Sequence, residues 1–142
     1  MQTHQIDSSY AVPAPSNLGN IRDSMTILGS MNKILVANRG EIAVRIIKTL
    51  KRLGIQSVAV YSDPDKYAQH VDDADIAIPL HGTTAAETYL SIDKIIKAAK
   101  ATNAQAIIPG YGFLSENADF ADKCAQEKIV FVGPSSNAIR KL

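Results

Sequence analysis

The sequence predicts a three-layer α/β domain built on an open parallel sheet of about five strands. Three observations predict it. Short apolar runs alternate along the chain with longer stretches whose apolar residues recur at helical spacing. Two glycine-bearing turns, Asn38-Arg39-Gly40-Glu41 and the run from Pro109 to Asn117, stand where an apolar run hands over to a helix. Strand and helix in strict alternation also demand parallel pairing and right-handed crossovers, which put helices on both faces of the sheet.

The ordered part is expected over residues 31–142, after a Ser-, Asn-, Pro- and Gly-rich stretch, 1–30, that reads as a flexible tail or linker. Within it, Met25-Thr26-Ile27-Leu28 is apolar enough to pack on the domain or to join it to something upstream, and Met25 and Met31 are alternative starts. Lys33 to Asn38 is the first strand, apolar and buried on both faces. Glu41 to Leu53 follows as a helix, with Glu41 at its start and Lys48, Lys51 and Arg52 near its end, the charge order that suits the helix dipole. Gly54 stops that helix, and Ser57 to Tyr61 is the second strand.

Residues 62–75 read as a partly irregular connection. Ile76 to Leu80 is a third strand whose proline assigns it to an edge. Ser91 caps a helix reaching Ala101, with Ile92, Ile95, Ile96 and Ala99 on one face. Ala106 to Pro109 is the fourth strand, Ala118 to Glu127 a helix, and Ile129 to Pro134 the fifth strand. Ser135 or Ser136 caps a last short helix. The simplest order for such a sheet, 3-2-1-4-5, sets strands one and four side by side where the crossovers diverge, and so brings the two glycine turns together.

Composition narrows the function. The 142 residues carry 15 basic and 14 acidic side chains, a formal net charge of +1, and are 46% hydrophobic. That is enough to close one core, and no window interleaves basic and aromatic residues as a nucleic-acid groove would. No apolar run approaches the roughly 20 residues that span a bilayer, and the start lacks a secretory signal, so the expected location is cytoplasmic, away from any membrane. The single cysteine, Cys124, falls in a helical apolar pattern and reads as a small buried hydrophobe. His4, His70 and His81 show no metal-ligand spacing, so no metal site is expected.

Glycine admits positive φ and close approach, and the helix behind each turn offers free N–H groups to an anion such as phosphate, carboxylate or bicarbonate. Gly40, Gly110 and Gly112 serve equally well as plain strand-to-helix turns. Arg39 is placed to pair with an anionic ligand, or to bridge to Glu41 or Glu116. Tyr111 could stack on a planar ligand or cover the sheet end. Ser115 and Asn117 are candidate helix caps, and Glu116 and Asn117 are equally candidate polar groups of a crevice. Asp63 and Asp65 follow the second strand where a dinucleotide ribose would want an acid, yet the triple-glycine fingerprint is missing, which disfavours that reading.

The runs from Lys33 to Arg45 (KILVANRGEIAVR), Pro109 to Asn117 (PGYGFLSEN) and Phe131 to Pro134 (FVGP), in that order, resemble the N-terminal subdomain of the biotin carboxylase module of biotin-dependent carboxylases. The likeness extends from about Asn32 to Leu142. In the middle of the chain, Tyr61 to Tyr67, His70 to Ala74 and Pro79 to Ala86 look most like the urea carboxylase part of fungal urea amidolyase, and less like pyruvate or acyl-CoA carboxylases.

The resemblance implies a Rossmann-like, pre-ATP-grasp fold and a ligase that joins bicarbonate to biotin with MgATP through a carboxyphosphate. It implies that Tyr111 and Gly112 face biotin and bicarbonate. Asn38, Arg39, Gly40, Glu41, Gly110, Glu116 and Asn117 would form the wall and floor, and Arg45 would sit at an oligomer contact. Implied cofactors are biotin, ATP and Mg. Implied partners are the ATP-grasp remainder, a biotin carrier domain and a second copy of the chain. No catalytic residue is expected within this chain, which stops before the ATP-grasp portion and should not carboxylate biotin alone. The competing readings are a free-standing binding or regulatory remnant of a carboxylase and, less favoured, a nucleotide-binding domain.

Overall fold

The computed structural model describes residues 30–141. Five strands, β1 (Lys33–Val36), β2 (Gln56–Tyr61), β3 (Ile76–Pro79), β4 (Ala106–Ile108) and β5 (Val130–Phe131), form one sheet in the order β3-β2-β1-β4-β5. Every pairing is parallel. The expected order is therefore the observed one, and β3 with its proline does lie at an edge. The register sets Val36 beside both Ala59 and Ile108, so β1 and β4 end level with each other.

Alternation along the strands divides the core in two. Leu35, Val58, Val60, Ile107 and Phe131 join one apolar cluster, and Ile34, Val36, Ala59, Ala106 and Val130 join the other. Helix α1 (Gly40–Arg52) covers the second cluster with Ala43, Ile47 and Leu50. Helices α3 (Ile92–Thr102), α4 (Ala118–Gln126) and α5 (Ser136–Arg140) cover the first, through residues such as Ile95, Ile96, Phe120, Cys124 and Ile139. Sheet residues buried on both faces explain why the strands read as continuous apolar runs.

Residues 62–75 hold more structure than the sequence suggests: a 3-10 turn over Asp63–Asp65 and the short helix α2 (Gln69–Asp73), which packs beside α1. A helix of that length shows no apolar periodicity, so nothing in the sequence announces it. Its anchor is His70, only 1% exposed, whose Nε2 lies 3.0 Å from the Val60 carbonyl. The helix caps follow the sequence closely. Ser91, Asn117 and Ser135 each accept the backbone N–H three residues on. Among the described residues no helix is long and apolar enough to cross a membrane. The expected tail over 1–30, including Met25 to Leu28, lies outside the described residues except for Ser30. Met31 is buried in the core.

Candidate functional site

The two glycine turns meet at the carboxyl end of the sheet, and one side chain joins them. Asn38 follows β1 and is 1% exposed. Its Nδ2 donates to the carbonyls of Pro109 and Tyr111, both at 2.7 Å, and its Oδ1 accepts the Arg39 N–H at 2.8 Å. Burial without partners would cost an amide several kcal/mol, so an asparagine here is a clasp between loops.

Arg39 departs from both sequence-based pairings. It binds neither Glu116, which is exposed, nor Glu41, which instead lies 3.5 Å from Arg45 on the exposed face of α1. The Arg39 fork engages Asp65, Nε to Oδ2 at 2.6 Å and Nη2 to Oδ1 at 2.8 Å. That guanidinium holds the Asp65 carboxyl well below the ordinary carboxylate range, helped by a second donor, the Tyr89 hydroxyl at 2.6 Å. The reciprocal pairing raises the already high pKa of Arg39. Burial, and then the bond to Asp65, push the Tyr89 phenol up, so it stays a protonated donor at neutral pH. Asp65 is buried and both of its oxygens are already engaged by Arg39 and Tyr89, so it is not presented to a ribose; Asp63 is exposed in the 3-10 turn.

The second turn is built differently. Gly110, Gly112 and Phe113 have φ of +70°, +71° and +45°, three left-handed residues within four. A β-carbon at Gly110 would lie 2.9 Å from Ile42 Cγ2 and 3.3 Å from Asn38 Nδ2, so the turn is pressed against the start of α1. Tyr111 projects from it and is 78% exposed, which rules out the sheet-covering role. Asn117, rather than Ser115, caps α4, accepting the Phe120 N–H at 2.9 Å, and Ser115 is buried.

Of the nine candidate wall and ligand-facing positions, Asn38, Arg39, Gly110, Tyr111 and Gly112 converge where β1 and β4 end. Gly40 and Glu41 begin α1 beside them, and Glu116 and Asn117 lie beyond the second turn, where α4 begins. Arg45 stands apart, exposed on α1 beside an apolar groove lined by Ile46, Thr49, Leu50, Leu53 and Ile108. Sequence reasoning missed Tyr89 and the pairing role of Asp65. The signal for the latter was present, because strand order 2-1 sets an acid after β2 next to an arginine after β1. Cys124 is fully buried, its thiol pushed up to about 12 by desolvation, as befits a core residue.

An open parallel sheet of this order, with the loops after β1 and β4 clasped together, is an α/β domain of the class whose ligands gather beyond the strand ends at the switch point. The sequence model described as "Biotin carboxylase, N-terminal domain" matches residues 30–139, and the chain belongs to that family. Urea amidolyase of Lachancea kluyveri is 81% identical to it over 109 residues, 77% of this chain and 6% of that protein. Urea amidolyase of Saccharomyces cerevisiae is 76% identical over the same length. The crystal structure of Kluyveromyces lactis urea carboxylase superposes with a TM-score of 0.78 at 78% identity, over 79% of this chain and 10% of that one. This chain thus spans a small part of the relatives it matches.

Proposed function

We propose that residues 31–142 form one subdomain, the N-terminal wall of a biotin carboxylase site, in an enzyme of the urea carboxylase kind. The observation that carries this is the Asn38 clasp. It ties the turn that carries the exposed Tyr111 and the side-chain-free Gly112 to the end of β1. An exposed phenol beside a glycine suits a flat hydrogen-bonding ring such as the ureido ring of biotin, and the half-exposed Arg39 beside it suits bicarbonate or a carboxyphosphate oxygen. Gly40, Glu41, Gly110, Glu116 and Asn117 shape the wall around them.

The described residues offer no cluster suited to Mg. Among the described residues no group of three or more His, Cys, Asp or Glu side chains could hold a metal. Mg and ATP therefore belong, in this reading, to an ATP-grasp remainder that closes the site from the other side. The biotin arrives on a carrier domain, and the exposed Arg45 face of α1 meets a second copy. The chain by itself binds one side of the substrates and turns nothing over.

A chimera tests this. Residues 30–139 would replace the matching segment of Saccharomyces cerevisiae urea amidolyase, and bicarbonate- and biotin-dependent ATP cleavage would be measured. Activity within a fewfold of the parent supports the reading. A folded chimera devoid of biotin carboxylation overturns it.

A further inference from the structure

Five βα connections leave the same side of this sheet, and one side chain in the third touches the second and the fourth directly and the first through a carboxylate. Tyr89 lies between β3 and α3 and is only 2% exposed. Its hydroxyl accepts the Ser62 N–H at 3.0 Å and donates to Asp65 Oδ2 at 2.6 Å, both in the connection after β2. Asp65 in turn holds Nε and Nη2 of Arg39, in the connection after β1. The Tyr89 ring lies 5.2 Å from that of Phe113, tilted by 34°, and Phe113 is the non-glycine left-handed residue of the second glycine turn.

We propose that Tyr89 is a positioning residue for the carboxylation site, aiming Arg39 through Asp65 and seating the Tyr111 turn through Phe113. The inference rests on the reading of Arg39 and Tyr111 as site-facing groups. The direction of its hydrogen bonds is fixed. Asp65 is an acceptor and Ser62 N–H a donor, so the phenol must pass its proton to the carboxylate. Asp65 Oδ2 then carries two donors at once, which fixes the carboxylate plane and with it the plane of the Arg39 fork. Arg39 is half exposed, and without that constraint its guanidinium would have rotamers to choose among. Nη1 is the nitrogen Asp65 does not engage, and so the one left to meet an anion. A hydroxyl that touches no substrate thereby governs where the cation stands. A small error in such a placement is expensive in rate.

Tyr89→Phe separates the parts, because it keeps the ring on Phe113 and deletes only the hydroxyl. Two measurements follow. In the full 142-residue chain labelled with nitrogen-15, the Arg39 Nε–H signal is expected to be single and slow to exchange, and to broaden or shift in Tyr89→Phe. In the chimeric carboxylase, Tyr89→Phe is expected to lower kcat about tenfold with KM for MgATP unchanged. The same change should have no further effect once Arg39 is methionine. A purely structural tyrosine would lower activity equally in both backgrounds. That result, or an unmoved Arg39 signal, overturns the inference. A moved signal in the labelled chain, together with an Arg39→Met chimera as active as its parent, overturns instead the reading of Arg39 as a site group. The two failures are thus told apart.

Discussion

The two glycine turns sit side by side at the end of the sheet but are held by opposite means. The first is locked by side chains: Asn38 is buried with three hydrogen bonds, and both ends of the Arg39 fork used are closed by Asp65. The second is locked by backbone shape, with left-handed residues at 110, 112 and 113, and it leaves Tyr111 in solvent. Rigidity therefore resides in the first turn and presentation in the second. The second borrows its position through the Asn38 amide and the Phe113 ring.

The hardest test of that division is Asn38→Ala. It strands the carbonyls of Pro109 and Tyr111 and opens a small void, and the expected loss is about 3–4 kcal/mol by urea unfolding. A loss below about 1 kcal/mol would mean that the second turn holds itself and that the clasp is incidental. Next in size is a matched pair. Gly40 and Gly110 both have positive φ, +61° and +70°, so alanine strains each by a similar amount. Only Gly110 is crowded, with Ile42 Cγ2 at 2.9 Å, whereas nothing lies within 4 Å of a β-carbon at Gly40. Gly110→Ala should cost about 3 kcal/mol and Gly40→Ala about 1 kcal/mol. Equal losses would show that the second turn is not seated on α1.

Asp65→Asn probes the lock on the first turn through pH. The folded-state carboxyl is held below its ordinary value of about 4, so its contribution is complete above that value and is lost as pH falls through it and below. At pH 7 the variant should be about 2 kcal/mol less stable, because an ion pair becomes a weaker hydrogen bond from the Arg39 cation to a neutral amide. The gap between variant and parent should close as the pH is taken from about 5 downward. A gap independent of pH would show that the carboxylate charge contributes nothing and that Arg39 is held by shape alone.

The sheet order was legible because double-sided burial leaves unmistakable apolar runs, and because alternation permits few topologies. The helix cap at Ser91 was legible for a local reason, since cap and N–H lie three residues apart, whereas Ser115 and Asn117 stood as equal candidates until the structure chose Asn117. The partner of Arg39 was not, although Asp65 stood in plain view after β2. An ion pair across 26 positions needs the strand order first and the loop path second. Tyr89 was harder still, since an aromatic in an irregular segment carries no periodicity. The sequence likewise marked Gly110 as permissive, but only packing against Ile42 and Asn38 shows it to be required.

Tyr111→Ala is expected to have the smallest effect on stability and the plainest meaning. The residue is 78% exposed, so truncation should change unfolding free energy by less than about 0.5 kcal/mol. Its carbonyl, the atom that Asn38 grips, is kept by any residue at that position. A fall in biotin carboxylation by the chimera, at unchanged stability, must then come from the missing ring and not from a loosened turn. Should stability fall by as much as in Gly110→Ala, Tyr111 would be a structural member of the turn. The contrast between a locked first turn and a presenting second one would then be lost.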